Sequence, residues 1–268
     1  MLFEVMASKR RLRIASYNIN GINSRLHVLT RWLEEFKPDI VGLQELKCTN
    51  EAFPHEALAA RGYSAIWHGQ RSWNGVAILS RVGEPVETRR ALPGDPNLEQ
   101  SRYIEAAVCG ILIGNMYAPN GNPKPGPKFD YKLAWLDALL AHARDLLGTK
   151  VPALLIGDFN VIPTPQDVYK PERWAKDALF APEAREKYRE VVALGWTDAI
   201  RRLHPDERVY TFWHYWRNSF DRDAGIRIDH ALLSPSLAKT LKAAGVDRTP
   251  RAWEKTSDHA PIWVEIEA

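Results

Sequence analysis

Short apolar runs alternate along the chain with polar clusters, and six of these runs carry polar side chains at one end. Four runs end in such groups, at residues 14–20, 40–45, 111–117 and 153–160, and two begin with them, at 227–233 and 257–264. Continuous apolar runs of this length predict strands that are buried on both faces. The end of one strand lies beside the start of its antiparallel neighbour. The polar groups are therefore predicted to gather at one edge of a sheet structure.

Apolar residues at helical spacing predict four helices among these strands. The predicted helices cover residues 26–36, 130–147, 183–194 and 236–244. A hairpin that joins residues 75–79 to residues 86–90 is also expected. This mixture of helices and hairpins argues against a purely parallel, doubly wound sheet.

The composition is that of a folded protein. The chain has 268 residues, of which 45% are hydrophobic and 26% charged, so disorder is not expected. There is no internal repeat and no linker, which predicts one domain over residues 1–268, with residues 1–11 as a loose N-terminal extension. A signal peptide and a long apolar span are both lacking, so we expect a soluble, cytoplasmic protein without a membrane partner.

The net charge is +3, which is compatible with a polyanionic partner but does not demonstrate one. The two cysteines, Cys48 and Cys109, exclude a disulfide framework, and no ligand spacing suggests zinc. Hard oxygen ligands instead favour Mg²⁺, with Mn²⁺ as a substitute.

Glu45 is the foremost candidate metal ligand, because it closes a buried strand where an unpaired carboxylate would be unfavourable. Asp258 and Asn20 could complete a magnesium site that retains several waters. The alternative for Glu45 is a structural salt bridge to Lys47 or to an arginine.

Ser257, Asp258 and His259 are consecutive, so they cannot form a serine triad among themselves. His259 needs an orienting partner, and Asp229 begins the strand expected beside it. The alternative is a histidine that caps its own turn. Asp158 and Asn160 could respectively activate a water and donate to an oxyanion, although Asp and Asn also favour plain turns.

These groups, with a nearby phenol, fit attack by water on a phosphodiester. They do not fit acyl or hydride transfer, since the chain has no nucleophile elbow, dinucleotide turn or phosphate loop. Residues 210–216 hold six aromatic rings in seven positions, counting His214. One face of a strand cannot bury so many, so some of these rings are expected to reach solvent or a ligand.

Seven short motifs follow one another along the chain. They are Tyr17–Ile22, Leu43–Glu45, Tyr117–Gly121, Gly157–Asn160, Tyr210–Trp213, Arg227–Asp229 and Ser257–Pro261. In these motifs and their order, over about residues 14–266, the chain resembles the exonuclease III branch of abasic-site endonucleases, within the endonuclease/exonuclease/phosphatase superfamily. The fold that this implies is α/β (α+β): a four-layer α/β/β/α sandwich of two packed mixed sheets flanked by helices, with the active site at one end.

The resemblance also implies residue roles. The metal group comprises Glu45, Asn20, Asp258 and Asn18. The catalytic group comprises Tyr117, Asp158, Asn160, Asp229 and His259. In these roles Asp158 activates water, Asn18 and Asn160 hold phosphate oxygens or the nucleophile, and His259, paired with Asp229, stabilises the pentacovalent phosphate. Whether Asp158 is the base, and whether one metal or two take part, stays open. Some relatives carry Asp at the position of Asn20.

The implied activity is Mg²⁺-dependent cleavage 5′ to abasic sites in double-stranded DNA, with 3′→5′ exonuclease and 3′-phosphatase or end-trimming activity. A monomer that associates with the nucleoid when it acts on DNA is expected. The implied substrate contacts are Asn120, Phe212, Trp213, Ile226, Arg227, Lys128 and Lys47, with Ile228 as a further contributor to an apolar pocket. Phe212 and Ile226 could instead be core residues. The alternative functions are a phosphatase or RNA deadenylase of the same fold, or a catalytically silent DNA-binding protein.

Overall fold

The computed structural model describes residues 11–267. Residues 1–10 of the expected N-terminal extension lie outside this range. Arg11 does not belong to an extension, because it opens the first strand and pairs with Glu267.

Between residues 11 and 267 the chain forms twelve strands, which assemble into two sheets. In chain order they are β1 Arg11–Asn18, β2 Ile40–Gln44, β3 Ser64–His68, β4 Val76–Ser80, β5 Val86–Arg90, β6 Tyr103–Val108, β7 Ile111–Tyr117, β8 Ala153–Asp158, β9 Thr197–Asp198, β10 Asp229–Leu233, β11 Leu241–Val246 and β12 Ile262–Glu267. The first sheet has the order β11-β12-β1-β2-β4-β3, and the second has the order β5-β6-β7-β8-β10-β9.

Each sheet is mixed, and this brings the polar strand ends together. In the first sheet β1 runs parallel to β2 and antiparallel to β12. In the second sheet β7 runs parallel to β8, and β8 runs antiparallel to β10. The ends of β1, β2, β7 and β8 therefore lie at the same side as the starts of β10 and β12, as the apolar runs predict.

Among the described residues, the three longest α-helices cover the outer faces of the sheets and four short α-helices lie between other elements. In chain order they are α1 Leu26–Phe36, α2 His55–Ala59, α3 Pro127–Gly148, α4 Pro171–Trp174, α5 Pro182–Ala193, α6 Ala199–Leu203 and α7 Pro235–Ala238. One apolar cluster fills the space between the sheets, a second lies under α3 and α5, and a third lies under α1. This is the four-layer sandwich that the sequence resemblance implies.

Three of the four predicted helices are confirmed as α1, α3 and α5, but the prediction for residues 236–244 is wrong. Only the four residues of α7 are helical there, and Leu241–Val246 forms the edge strand β11. Gly245 disfavours a helix, and a side chain at this position would lie about 3.1 Å from the Trp263 ring. Pairing with β12 thus overrides the helical spacing.

The predicted hairpin of residues 75–79 with 86–90 is also wrong. The strand β4 is buried and pairs with β2 and β3, whereas β5 is exposed and pairs with β6 in the other sheet. The segment between them crosses from one sheet to the other, and Val82 packs against the central core on the way. Proximity in sequence therefore does not make these two strands partners.

Among the residues that the structure describes, no helix combines the length and the apolar character needed to cross a membrane.

Candidate active site

The polar groups are set by sharp turns directly behind the strands. Asn20, Glu45, Lys47 and Asn160 all adopt left-handed backbone conformations, with φ between 50° and 52°. Such conformations are uncommon outside glycine and are maintained by the surrounding structure. They turn the chain away from the sheet just after β1, β2 and β8. As a result, short side chains from both sheets converge at the edge.

Asn18 joins the two sheets at the centre of the site. Its side-chain nitrogen donates to Glu45 Oε1 at 2.9 Å and to Asp158 Oδ2 at 3.0 Å. Its oxygen accepts the backbone N–H of Asn20 at 3.1 Å. Asn18 is thus a hydrogen-bond donor between two carboxylates. Its expected place among the metal ligands stays a prediction, because an amide oxygen that accepts one hydrogen bond keeps a second lone pair.

Glu45 and Asn20 place side-chain oxygen atoms around the ammonium group of Lys47. Lys47 Nζ is 2.8 Å from Glu45 Oε2 and 2.6 Å from Asn20 Oδ1, so the salt bridge considered as the alternative for Glu45 is present. Asn20 in turn donates to Asp258 Oδ1 at 2.9 Å. Burial raises the pKa of Glu45, but the Lys47 ammonium and the Asn18 amide outweigh burial and keep the pKa below its usual value. Glu45 is therefore an ionised carboxylate at neutral pH.

His259 pairs with Asp229 as predicted. Its Nδ1 lies 2.8 Å from Asp229 Oδ2, and its Nε2 lies 3.8 Å from Asp158 Oδ2. Burial lowers the pKa of His259, but Asp229 and then Asp158 more than compensate and raise the pKa to about 10. The imidazole is therefore positively charged at neutral pH and directs its second N–H into the site.

The pKa of Asp158 is also raised, which favours the neutral form of this carboxyl group. Burial and the nearby charge of Asp229 raise its pKa to about 7, although the charged His259 lowers it. Its Oδ1 accepts the backbone N–H of Asn160 at 2.8 Å, which fixes the carboxylate. A carboxylate that titrates near neutrality suits proton transfer at physiological pH.

Tyr117 is a protonated phenol at this edge. Burial, with the carboxylates of Glu45 and Asp158, raises its pKa well above 10. The Arg102 guanidinium lies 5.0 Å from the centre of the Tyr117 ring and donates to the Tyr117 carbonyl oxygen. The phenol is therefore a hydrogen-bond donor at neutral pH.

Lys132 was not predicted, although it supports the catalytic loops. It is completely buried in α3, and its Nζ donates to Asn160 O at 2.5 Å and to Pro119 O at 3.0 Å. Burial lowers the pKa of Lys132 to about 7. The same loops carry Asn120, whose amide approaches Asn160 Oδ1 at 3.4 Å. The available signal was a lysine inside the apolar stripe of the predicted helix.

These groups open into a cleft of about 290 Å³ with one apolar wall. Phe212, Ile226 and Ile228 line this wall, as the pocket prediction requires, and Leu179 extends it. Phe212 makes backbone bridges to both Ile226 and His259, which places the wall beside the charged imidazole. Four further polar and aromatic residues of the lining were not predicted. They are Asn122, Trp174, Asp177 and His214.

The expectation that Trp213 lines the substrate pocket is wrong. Trp213 is fully buried behind the wall, where its Nε1 donates to Asp223 Oδ1 at 3.1 Å. Lys128 is exposed in the first turn of α3 and is not among the residues that line the cleft. A DNA contact by Lys128 stays a prediction.

The expectation that Arg227 contacts DNA is also wrong. Arg227 is 1% exposed and lies 2.7 Å from both Asp167 and Asp198. His230, which the sequence left without a role, lies 3.1 Å from Arg227 and 2.9 Å from the carbonyl oxygen of Val161. Burial, with the Arg227 charge, lowers the pKa of His230 to about 4, so this histidine is neutral and structural.

Breaking a phosphate ester requires positive charge near the phosphate and a group that takes a proton from water. The cleft provides both at the junction of two stacked sheets, and this fold and site define a hydrolase of phosphate esters. The chain belongs to the endonuclease/exonuclease/phosphatase family, whose model matches residues 15–259.

Three relatives cover nearly the whole chain. Exodeoxyribonuclease III of Haemophilus influenzae is 36% identical over 95% of this chain and 100% of its own length. An AP endonuclease from Archaeoglobus fulgidus has a solved structure with a TM-score of 0.92 and 37% identity, and the match covers 96% of this chain and 100% of that one. A 3′ phosphatase from Neisseria, solved with a product DNA hairpin, has a TM-score of 0.91 and 38% identity over 96% of this chain and 100% of its own.

Proposed function

We propose that the chain is a Mg²⁺-dependent DNA-repair phosphodiesterase that cleaves 5′ to abasic sites and also trims 3′ ends as a 3′→5′ exonuclease and 3′-phosphatase. The observation that carries the proposal is the charged His259 beside Asp158, a carboxylate with a pKa of about 7. Relatives named as an exodeoxyribonuclease, an AP endonuclease and a 3′ phosphatase support the choice of substrate.

In this proposal Asp158 accepts a proton from the attacking water, which Asn160 helps to hold. The attack adds negative charge to the phosphate, and the His259 N–H faces that charge while Asp229 maintains the proton on the ring. Asn18 donates to phosphate oxygens or holds the nucleophile, and the Tyr117 phenol donates to the phosphate or to the departing oxygen.

Glu45 would hold the divalent cation, with Asn20 and Asp258 close by. The residues fit this ion, because their donors are hard oxygens and because the Lys47 ammonium already lies between two of them. Glu45, Asp158 and His259 each place a possible ligand atom within 4.8 Å of the others, and the two carboxylates are the harder donors of this group. When bound, Mg²⁺ or Mn²⁺ would supply positive charge to the phosphate oxygens.

The apolar wall of Phe212, Ile226 and Ile228 would select the abasic nucleotide. A nucleotide without a base can rotate out of the duplex with little loss of pairing or stacking. Its bare sugar is small and largely apolar, which matches the wall. Asn120 and Lys47 lie at the same edge and would contact the DNA backbone. We further propose that a single-domain monomer acts on double-stranded DNA inside the cell, associated with the nucleoid.

A nicking assay on a duplex with one abasic site tests this proposal. Wild type should cleave 5′ to the site with Mg²⁺ or Mn²⁺, and a chelator should abolish cleavage. Glu45→Gln should lose most activity at limiting Mg²⁺ while it still folds, because it removes charge from the proposed ligand and leaves its shape. Glu51→Gln, at an exposed carboxylate, is the matched control.

Inositol phosphates and poly(A) should compete poorly with the abasic duplex. Preferred hydrolysis of either would replace the proposal with a phosphatase or a deadenylase. Metal-dependent binding of the duplex without cleavage would indicate a catalytically silent protein.

A further inference from the structure

Three aromatic rings form a stack that leads from the cleft to the surface. The ring centroids of Trp174 and His214 are 6.0 Å apart with an interplanar angle of 3°, and those of His214 and Trp216 are 4.3 Å apart at 14°. Trp174 and His214 line the cleft, whereas Trp216 is 59% exposed. One face of Trp216 lies on His214, and much of the remaining ring surface is open to solvent.

The stack is connected to the candidate catalytic group. His214 contacts Phe212 edge to face at 4.9 Å, and Phe212 contacts His259 in the same way at 5.0 Å. Burial lowers the pKa of His214, so its ring is neutral at physiological pH. The exposed end of the stack is therefore two ring contacts away from Phe212, the residue proposed to meet the abasic sugar.

Core packing does not explain Trp216. In the same segment Trp213 turns inward, is fully buried and bonds to Asp223. Trp216 turns outward, and the two residues that follow it, Arg217 and Asn218, have left-handed backbones with φ of 60° and 48° that keep the segment at the surface. An isolated exposed aromatic would be unremarkable, but this one ends an ordered stack that begins in the cleft.

Cationic side chains border both ends of the stack. Arg173 and Lys176 flank Trp174 on the surface, and Arg217 and Arg222 follow Trp216. Four carboxylates lie in the same segments, the exposed Glu172 and Asp221 and the half-buried Asp177 and Asp223, so positive and negative charges are mixed around the stack. A flat aromatic face bordered by cations is the arrangement that binds single-stranded nucleic acid through base stacking and phosphate attraction.

We propose that Trp216, supported by His214 and Trp174, binds an unpaired nucleobase of the DNA strand beside the scissile phosphate by stacking on it. The proposal rests on the proposed DNA-repair function and adds a base-binding site outside the pocket for the abasic sugar. An unpaired base at a frayed 3′ end or next to an abasic site would occupy it. A fully paired duplex would not, because its bases already stack on one another.

Binding in chelator, where cleavage is stopped, tests the proposal. The probes are a fully paired duplex and the same duplex with one unpaired 2-aminopurine at a 3′ end. Wild type should prefer the second probe and quench the 2-aminopurine fluorescence. Trp216→Leu, which keeps apolar bulk without an aromatic face, should lower affinity for this probe roughly tenfold, the size of one base–aromatic stack, and abolish the quenching. Trp216→Phe should retain most of both effects.

Val86→Ala is the control variant, since Val86 is exposed on β5, an edge strand of the second sheet. This variant should change neither the affinity for the unpaired probe nor the quenching. Quenching by Trp216→Leu equal to that of wild type, or its loss in Trp216→Phe, would overturn the proposal, as would a wild type without preference for the unpaired base. Cleavage of the abasic duplex by wild type is measured separately. If wild type cleaves but the Trp216 variants bind and quench the unpaired probe as wild type does, only the base-binding site is refuted. If wild type does not cleave, the proposed function is refuted.

Discussion

Replacing Asp229 by asparagine tests the central electrostatic feature of the site. Asp229 makes the largest favourable contribution to the charged form of His259, whose pKa it helps to raise from 6.5 to about 10. Without this carboxylate, burial acts against the remaining acidic groups, and we expect the pKa to return to 6.5 or below. At about pH 7.5 the charged fraction of His259 would then fall from nearly complete to about one in ten.

We therefore expect kcat of Asp229→Asn to fall at least tenfold at about pH 7.5, with little change in KM, because the substrate is bound by other groups. The direct assay is an NMR titration of the His259 ring in metal-free protein. Wild type should show no midpoint below about pH 9, and the variant should titrate near or below neutrality. Asp221→Asn, at an exposed site, is the control. An unchanged His259 midpoint, or a rise in KM with normal kcat, would refute the reasoning.

The same pair makes a prediction about stability. Because the pKa of His259 is higher in the folded state than its ordinary 6.5, the pairing stabilises the fold fully below about pH 6.5, and this contribution disappears as the pH rises through about 10. The difference corresponds to at most roughly 5 kcal/mol. Unfolding by urea should show Asp229→Asn to be most destabilised, relative to wild type, in the acidic part of this range. Equal destabilisation at every pH would contradict the coupling.

Three further predictions concern other parts of the molecule. Lys132→Met should lower both stability and kcat, because it leaves two buried carbonyl oxygens unpaired at about 1–3 kcal/mol each, and Lys239→Met, at an exposed lysine, should do neither in the same melting and nicking assays. Phe212→Ala should lower the preference for abasic over intact DNA with little change in melting temperature, whereas a loss of about 3–5 kcal/mol with an unaltered preference would identify a core residue. Affinity for DNA in chelator should fall with salt at a log–log slope steeper than about −3, despite the small net charge, and a slope near zero would contradict a phosphate-binding surface.

The cluster of candidate catalytic residues was predictable because its members occupy strand ends. An apolar run that stops at Glu45 or Asp158 marks both the strand and the point where its chain leaves the core. The pairing of Asp229 with His259 follows from the antiparallel start of one strand and the turn before another. Local sequence thus contains the position of each group, and sheet geometry brings the groups together.

The features that the sequence did not reveal depend on partners far along the chain. Lys132 lies in the apolar stripe of a predicted helix, but the carbonyl groups that it binds are 13 and 28 residues away, so the local pattern does not identify its partners. Arg227 looked like a surface charge because its buried partner Asp167 is 60 residues distant. Leu241–Val246 has helical spacing, yet pairing with β12 decides its conformation. Long-range contacts outweigh local preference in each case.

The site is assembled from groups that are synthesised far apart. The Asn18 side chain donates a hydrogen bond to Asp158, which is 140 positions away in the sequence. The Asn18 carbonyl oxygen accepts a hydrogen bond from the hydroxyl group of Ser257, which is 239 positions away. When only the early strands of the first sheet, such as β1 and β2, have left the ribosome, His259 and its partner Asp229 have not yet been synthesised. Cleavage competence arises only when the last strand, β12, docks against the first. A partly made or partly unfolded chain would therefore lack the arrangement of groups that cleavage requires.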